Sequence, residues 1–226
     1  MNRFFYCTAM IVSLINASFS AEEGIKEYGI VVLPSAEIAV KAAEMNTEFA
    51  TKLGNNPGNF WHVTLYHLAC SEASLTKIVD ELSKLEIEPF QLEFKNIYST
   101  ADRWIDWGMK NTDPLHELHR KVIEIASSHR MRPLDRARDI YEDLSPDRKA
   151  QVDAYGVSGV LEFYNPHMTL FYRYPPDATL QGVAAEFARD NGDAEMNGNA
   201  SSIAVVELGY NGNIEKIVRC INIAGR

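Results

Sequence analysis

His62 and Thr64 stand two residues apart in Phe60-Trp61-His62-Val63-Thr64-Leu65-Tyr66, and the pair recurs as His167 and Thr169 in Asn165-Pro166-His167-Met168-Thr169-Leu170-Phe171. Both stretches read as β-strands. Side chains on a strand alternate faces, so each imidazole shares a face with the hydroxyl two residues on, roughly 6.5 to 7 Å away along the strand. A proton-transferring ring beside a hydroxyl suits a single phosphate. With 6 His and 9 Thr in 226 residues, composition alone gives about 0.24 such triplets, a measure of how often so short a pattern misleads. Two occur, each followed by Leu, and they lie 105 residues apart, close to half of the chain beyond an N-terminal leader. A duplicated half is the natural reading.

That leader is Met1 to Ser20: Arg3 is its positive end, Phe4 to Ile15 its apolar stretch, and Ser18-Phe19-Ser20 a small-x-small cleavage site before Ala21. The apolar stretch runs about 12 residues where a spanning helix needs about 20, which favours cleavage over anchoring. The mature protein, residues 21–226, is therefore expected to be secreted or periplasmic, with no membrane span left. It is long enough for one domain of two packed lobes. A net charge of −9 argues against a surface that follows a long nucleic-acid tract, because such binding relies on clustered Lys and Arg. A small anionic substrate held by local groups fits better, and a monomer is expected. Cys7 leaves with the leader; Cys70 and Cys220 remain, without the spacing of a zinc site, as either one disulfide or two buried thiols.

The elements that position the two pairs follow in order. Tyr28 to Leu33 is a strand ended by Pro34; Ser35 then caps a helix whose apolar face is Ile38, Ala42, Met45, Phe49 and Leu53, stopped at Gly54. Asn55-Asn56-Pro57-Gly58 turns the chain into the first His-x-Thr strand. A helix from about Ser74 carries Leu75, Ile78, Leu82 and Leu85, and Phe90 to Tyr98 with Trp104 to Lys110 form a hairpin. Asp113-Pro114 starts a helix with Leu115, Leu118, Val122 and Ile125 inside; His116, His119 and His129 fall beside that stripe and read as surface or boundary residues. His67, an odd number of residues from His62 and Thr64, is assigned to the opposite face as a packed or edge histidine. Arg130 to Ser158 breaks the pattern with alternating charges, a solvated helical insertion or a lid. Leu161 to Tyr172 holds the second strand, Leu180 to Phe187 a helix, Asn191 to Ser202 a polar loop, and Ile203 to Leu208 with Ile214 to Ile223 a closing hairpin around Asn211-Gly212.

The chain resembles the two-histidine (2H) phosphoesterases, which include RNA ligase-like proteins and cyclic nucleotide phosphodiesterases. The resemblance rests on His62-Val63-Thr64-Leu65, His167-Met168-Thr169-Leu170 and the order of elements around them, and spans most of residues 25 to 225. It implies an α+β fold of two pseudo-symmetric, mainly antiparallel lobes with outer helices, one His-x-Thr strand per lobe facing a central groove. The leader and the insertion at about 130–158 depart from it and bear on the substrate. The residues read by themselves agree: opening a cyclic phosphodiester needs a base on the entering oxygen and an acid on the leaving one, on opposite sides of phosphorus. Histidines, with ordinary pKa values near 6.5, can divide those roles, while Thr64 and Thr169 donate to the non-bridging oxygens. No metal and no cofactor is called for. Tyr66 and Phe171, two residues beyond each Thr, and Arg173 beyond them are expected on the same face: the two rings either line the groove and stack on a base or pack in the core, and Arg173 is the candidate to meet a phosphate. The leading expectation is a metal-independent phosphodiesterase acting on 2′,3′-cyclic nucleotides or cyclic phosphate RNA ends. Alternatives are a non-catalytic nucleotide- or protein-binding chain, a 2′,5′ ligase-like activity, and a metal-dependent hydrolase, which no carboxylate at ligand spacing supports.

Overall fold

The computed structural model describes residues 24–54, 60–191, 194–209 and 212–223; the leader and the Asn55–Gly58 turn lie outside them. The chain forms β1 (Ile25–Pro34), α1 (Ala36–Leu53), β2 (Val63–Ser71), α2 (Glu72–Leu82), β3 (Gln91–Thr100), β4 (Trp104–Met109) and α3 (Asp113–Ala126). It continues with two short helices, α4 (Asp135–Asp139) and α5 (Pro146–Tyr155), then β5 (His167–Tyr172), α6 (Thr179–Asn191), β6 (Met196–Leu208) and β7 (Ile214–Asn222). Among the described residues no helix is long and apolar enough to cross a membrane.

All the ladders are antiparallel, in the order β2-β1-β6-β3-β4-β5 with β7 on the free side of β6. The fold is α+β, as expected, but its lobes are not the two halves of the chain. The β3–β4 hairpin pairs with β5 of the second half, while β6 and β7 pair onto β1 and so join β2 of the first. The link is β6. Its start, Met196–Asn199, bonds to Phe94–Gln91 of β3, and its remainder lies between β1 and β7. Met196 to Ser202, most of the stretch Asn191 to Ser202 that reads as a loop because it is polar, is strand. Pairing with β3 up to Asn199, and with β1 and β7 beyond it, engages its backbone groups, and Gly198 allows α1 to approach, since a Cβ there would come within 2.4 Å of Ile38 Cδ1.

The helices follow their apolar stripes. Ile38, Ala42, Met45, Phe49 and Leu53 of α1 are all buried, and full burial of each larger side chain among them contributes roughly 1.5–3 kcal/mol. Ser35 holds the N-cap position in extended conformation without a side-chain capping bond, whereas Ser71 Oγ accepts from Ser74 N at 3.2 Å and starts α2 earlier than its apolar spacing implies. Residues 130–158 are docked rather than merely solvated. Leu134, Ala137 and Val152 close over Ala69 of β2 in a small core of their own. Cys70 is buried and Cys220 exposed, both free. They sit on β2 and β7 with β1 and β6 between, so about 14 Å of ladder spacing separates them, beyond disulfide reach.

β2 and β5, at opposite ends of the strand order, nevertheless touch. The sheet is rolled so that its two His-x-Thr edges face each other, and the groove lies between them.

Candidate active site

A cavity of about 680 Å³ occupies that groove, and His62, Thr64, His167 and Thr169 all line it. Each histidine is fixed by its own chain. His62 Nδ1 lies 2.6 Å from Phe60 O and His167 Nδ1 2.8 Å from Asn165 O, the carbonyl two residues back in both cases. A carbonyl only accepts, so each Nδ1 carries the proton of a neutral ring and each Nε2 is left for chemistry. Loss of solvation, opposed by the Phe60 bond and assisted by His167, holds the pKa of His62 below its ordinary value. His62 is thereby favoured as a neutral acceptor at neutral pH.

Beyond each Thr the strand does not keep its alternation. Val31 pairs with Thr64 and Ile30 with Tyr66, so Leu65 is an extra residue; Asp106 pairs with Thr169 and Ile105 with Phe171, so Leu170 is another. These two β-bulges reverse the facing of everything after them. Tyr66 and Phe171 are each 1% exposed and pack in the core, one of the two places open to them; Tyr66 Oη donates to Tyr155 O at 2.6 Å, and Tyr66, unlike Phe171, also borders the cavity. The residues turned inward are the next ones, His67 and Tyr172, at the same offset from their histidines. His67 is therefore a groove residue, contrary to the simple alternation count. Gly29 stands directly across from it on β1 and makes room for its ring, since a Cβ there would lie 3.0 Å from His67 Cδ2.

Each bulge carbonyl has its own donor from another element. His119 Nδ1 lies 2.7 Å from Leu65 O, and Asn46 Nδ2 donates to Leu170 O at 2.7 Å. His119 is fully buried rather than at the surface: its Nε2 accepts from Leu161 N at 2.9 Å, and its ring stacks on Tyr164 at 3.7 Å. Burial lowers its pKa to about 4. Tyr164 Oη in turn donates to Thr64 O at 2.9 Å. The first motif is thus held in place by residues from both sides of the insertion.

The two threonines differ. Thr169 Oγ1 donates to Oδ1 of Asp106 at 2.8 Å, a carboxylate 3% exposed that lies in the middle of β4. Its proton is thus engaged by the protein, which departs from the expectation that both hydroxyls are free donors. Thr64 Oγ1 lies 3.5 Å from His67 Nε2. Arg173 is turned to Asp177, with Nη1 2.6 Å from the carboxylate, and does not line the cavity. Its place as a cation is taken by Arg103, beside Trp104 and Tyr174, and by Arg136 from the insertion. A lone Asp among Trp104, Ile105 and Trp107 was a sequence signal for Asp106; nothing local marked Arg136. Tyr98, Trp104 and Tyr172 give the cavity aromatic surface.

The family model described as the 2′-5′ RNA ligase superfamily matches residues 35–208. Among solved structures, TT0787 of Thermus thermophilus is similar at 16% identity and a TM-score of 0.57, covering 88% of this chain and 99% of its own. E. coli LigT complexed with phosphate is similar at 11% identity and a TM-score of 0.52, and E. coli LigT complexed with 3′-AMP at 12% and 0.50; each alignment covers 89% of this chain and 99% of the other. Comparison with curated proteins finds no match. The match across most of the chain, on a fold shared over its length, makes this protein a member of the 2′-5′ RNA ligase superfamily, the two-histidine phosphoesterases.

Proposed function

We propose that this protein is a metal-independent phosphodiesterase that opens 2′,3′-cyclic phosphates, on nucleotides or at RNA ends, by general acid-base catalysis. The observation that carries the reading is the pair of Nδ1-anchored imidazoles, each with its Thr, on the walls of one cavity. His62 Nε2 takes the proton of a water attacking phosphorus. As that P–O bond forms, the bond to the 2′- or 3′-oxygen breaks, and His167, entering as the imidazolium, gives its Nε2 proton to the leaving oxygen. The product is a phosphomonoester with one free ribose hydroxyl, and proton exchange with solvent resets both rings. His62 takes the base role because burial disfavours its charged form. Arg103, which lines the cavity, is the cation available to offset charge on phosphorus, and Tyr98, Trp104 and Tyr172 offer faces on which a base can stack. The 3′-AMP and phosphate complexes of E. coli LigT are ligands of the same chemical class.

The test is turnover of a panel of 2′,3′-cyclic nucleotides in EDTA, with products identified by ³¹P NMR. A single phosphomonoester forming at an undiminished rate is expected. Turnover lost to EDTA and restored by a divalent cation, or no turnover of any cyclic phosphate by folded protein, overturns the reading.

A further inference from the structure

Between the first catalytic strand and the insertion lies a contact that the acid-base mechanism does not use. Arg136 of α4 places Nη2 against His67 Nδ1. A guanidinium only donates, so His67 must accept at Nδ1, and its single ring proton must then sit on Nε2. That nitrogen faces Thr64 Oγ1 at 3.5 Å, a long contact of the kind that tightens when substrate binds. When Nε2–H is given to Oγ1, the Thr64 hydroxyl proton is free to turn away, into the cavity. Thr169 stands in the opposite condition, its proton committed to Asp106.

The geometry points to Arg136 as a positioning residue: through His67 it fixes the direction of hydrogen bonding at Thr64, so that this Thr alone presents a donor to the non-bridging oxygen. The inference rests on the phosphodiesterase reading for its effect on rate, though not for its effect on His67. The insertion thereby acquires a role within the chemistry, because α4 is the element that carries the guanidinium.

The surroundings support a ring that stays neutral. Loss of solvation, Arg136, His62 and His167 all act in one direction, holding the pKa of His67 well below its usual value. On Arg136 itself, burial is opposed by Glu27 of β1. The guanidinium is closed in by the end of the β6–β7 hairpin: a Cβ on Gly212 would lie 2.8 Å from Nη1, which has no hydrogen-bond partner among the described residues. Such a cation has little room to take a second position.

The direct test needs no variant. ¹⁵N NMR of the histidine rings in the full chain, from pH 8 to pH 5, should show His67 neutral with its proton on Nε2 throughout. A proton on Nδ1, or an imidazolium by pH 6, overturns the proposal whatever the enzyme's activity. Kinetics on a 2′,3′-cyclic nucleotide supply the second arm. Arg136→Met should lower kcat about tenfold, the order of one transition-state hydrogen bond, with a smaller change in KM, and Arg136→Lys should recover part of it. Thr64→Val should cost a similar factor, and Arg136→Met should add little in the Thr64→Val background. An undiminished cost of Arg136→Met in that background means that the cation acts on substrate directly and refutes the relay. If the parent protein turns over no cyclic phosphate, the functional reading fails while the NMR result still decides the relay.

Discussion

His62→Ala and His167→Ala should each lower kcat/KM on a 2′,3′-cyclic nucleotide by about 10²–10⁴, the range for loss of a general base or acid. The fold should survive either change, because both rings line the cavity and, among the described residues, bond only to carbonyls of their own segment. Removing both should cost far less than the product of the single losses. Base and acid act on the two ends of one displacement, and once one is missing the other has little left to assist. Circular dichroism checks the fold, and single-turnover rates separate chemistry from release. A single variant that keeps more than about a third of parental kcat/KM, far above the loss expected for a general acid or base, would remove its histidine from the mechanism.

The second large effect is on stability. His119→Ala should destabilise the protein by about 3–5 kcal/mol, read from the urea midpoint at pH 7.5. It strands Leu65 O and Leu161 N, each costing roughly 1–3 kcal/mol when left unpaired in the interior, and it empties the space against Tyr164. Asn46→Ala, which removes one bond to Leu170 O at a less buried place, should cost about 1–2 kcal/mol. His119 also sets a pH dependence. Its pKa of about 4 in the folded protein is below the ordinary value near 6.5, so the unfolded chain binds the extra proton first. Its stabilising effect is full above pH 6.5 and is lost as pH falls through 4, on the order of 3 kcal/mol in all. His62 and His67, lowered in the same direction, steepen that loss. In His119→Ala the slope should flatten; an unchanged slope would assign the acid sensitivity to other groups.

The two His-x-Thr pairs were legible because a strand's alternation fixes which neighbours share a face over two residues. Over four it failed, and for a definite reason. Each bulge is created by register against another strand, β1 for Leu65 and β4 for Leu170, and nothing inside His-Val-Thr-Leu-Tyr-His announces an extra residue. That is why plain alternation turns His67 away from the groove, whereas folding turns it inward and packs Phe171 in the core. Both motifs slip at the same Leu and so present His67 and Tyr172 in equivalent places. The burial of His119 is hidden for a related reason: helical spacing locates the stripe of α3, but the carbonyl that rewards a buried imidazole belongs to β2. The interleaving of the hairpins was likewise invisible, because which edge a hairpin joins depends on non-local pairing. Arg136 lay in a run of charges that reads as a solvated face, and only the docking of the insertion onto β2 carries it into the cavity.

The division of labour between the two histidines is tested most directly by the pH profile of kcat/KM on one 2′,3′-cyclic nucleotide in EDTA, for the parent and both single variants. The parent should give a bell whose two apparent pKa values belong to the coupled pair. His62→Ala should lose the acid limb, since no base remains to be protonated. His167→Ala should lose the alkaline limb, since no acid remains to be deprotonated. A bell that survives intact in either variant, or a parent rate abolished by EDTA, would contradict the account.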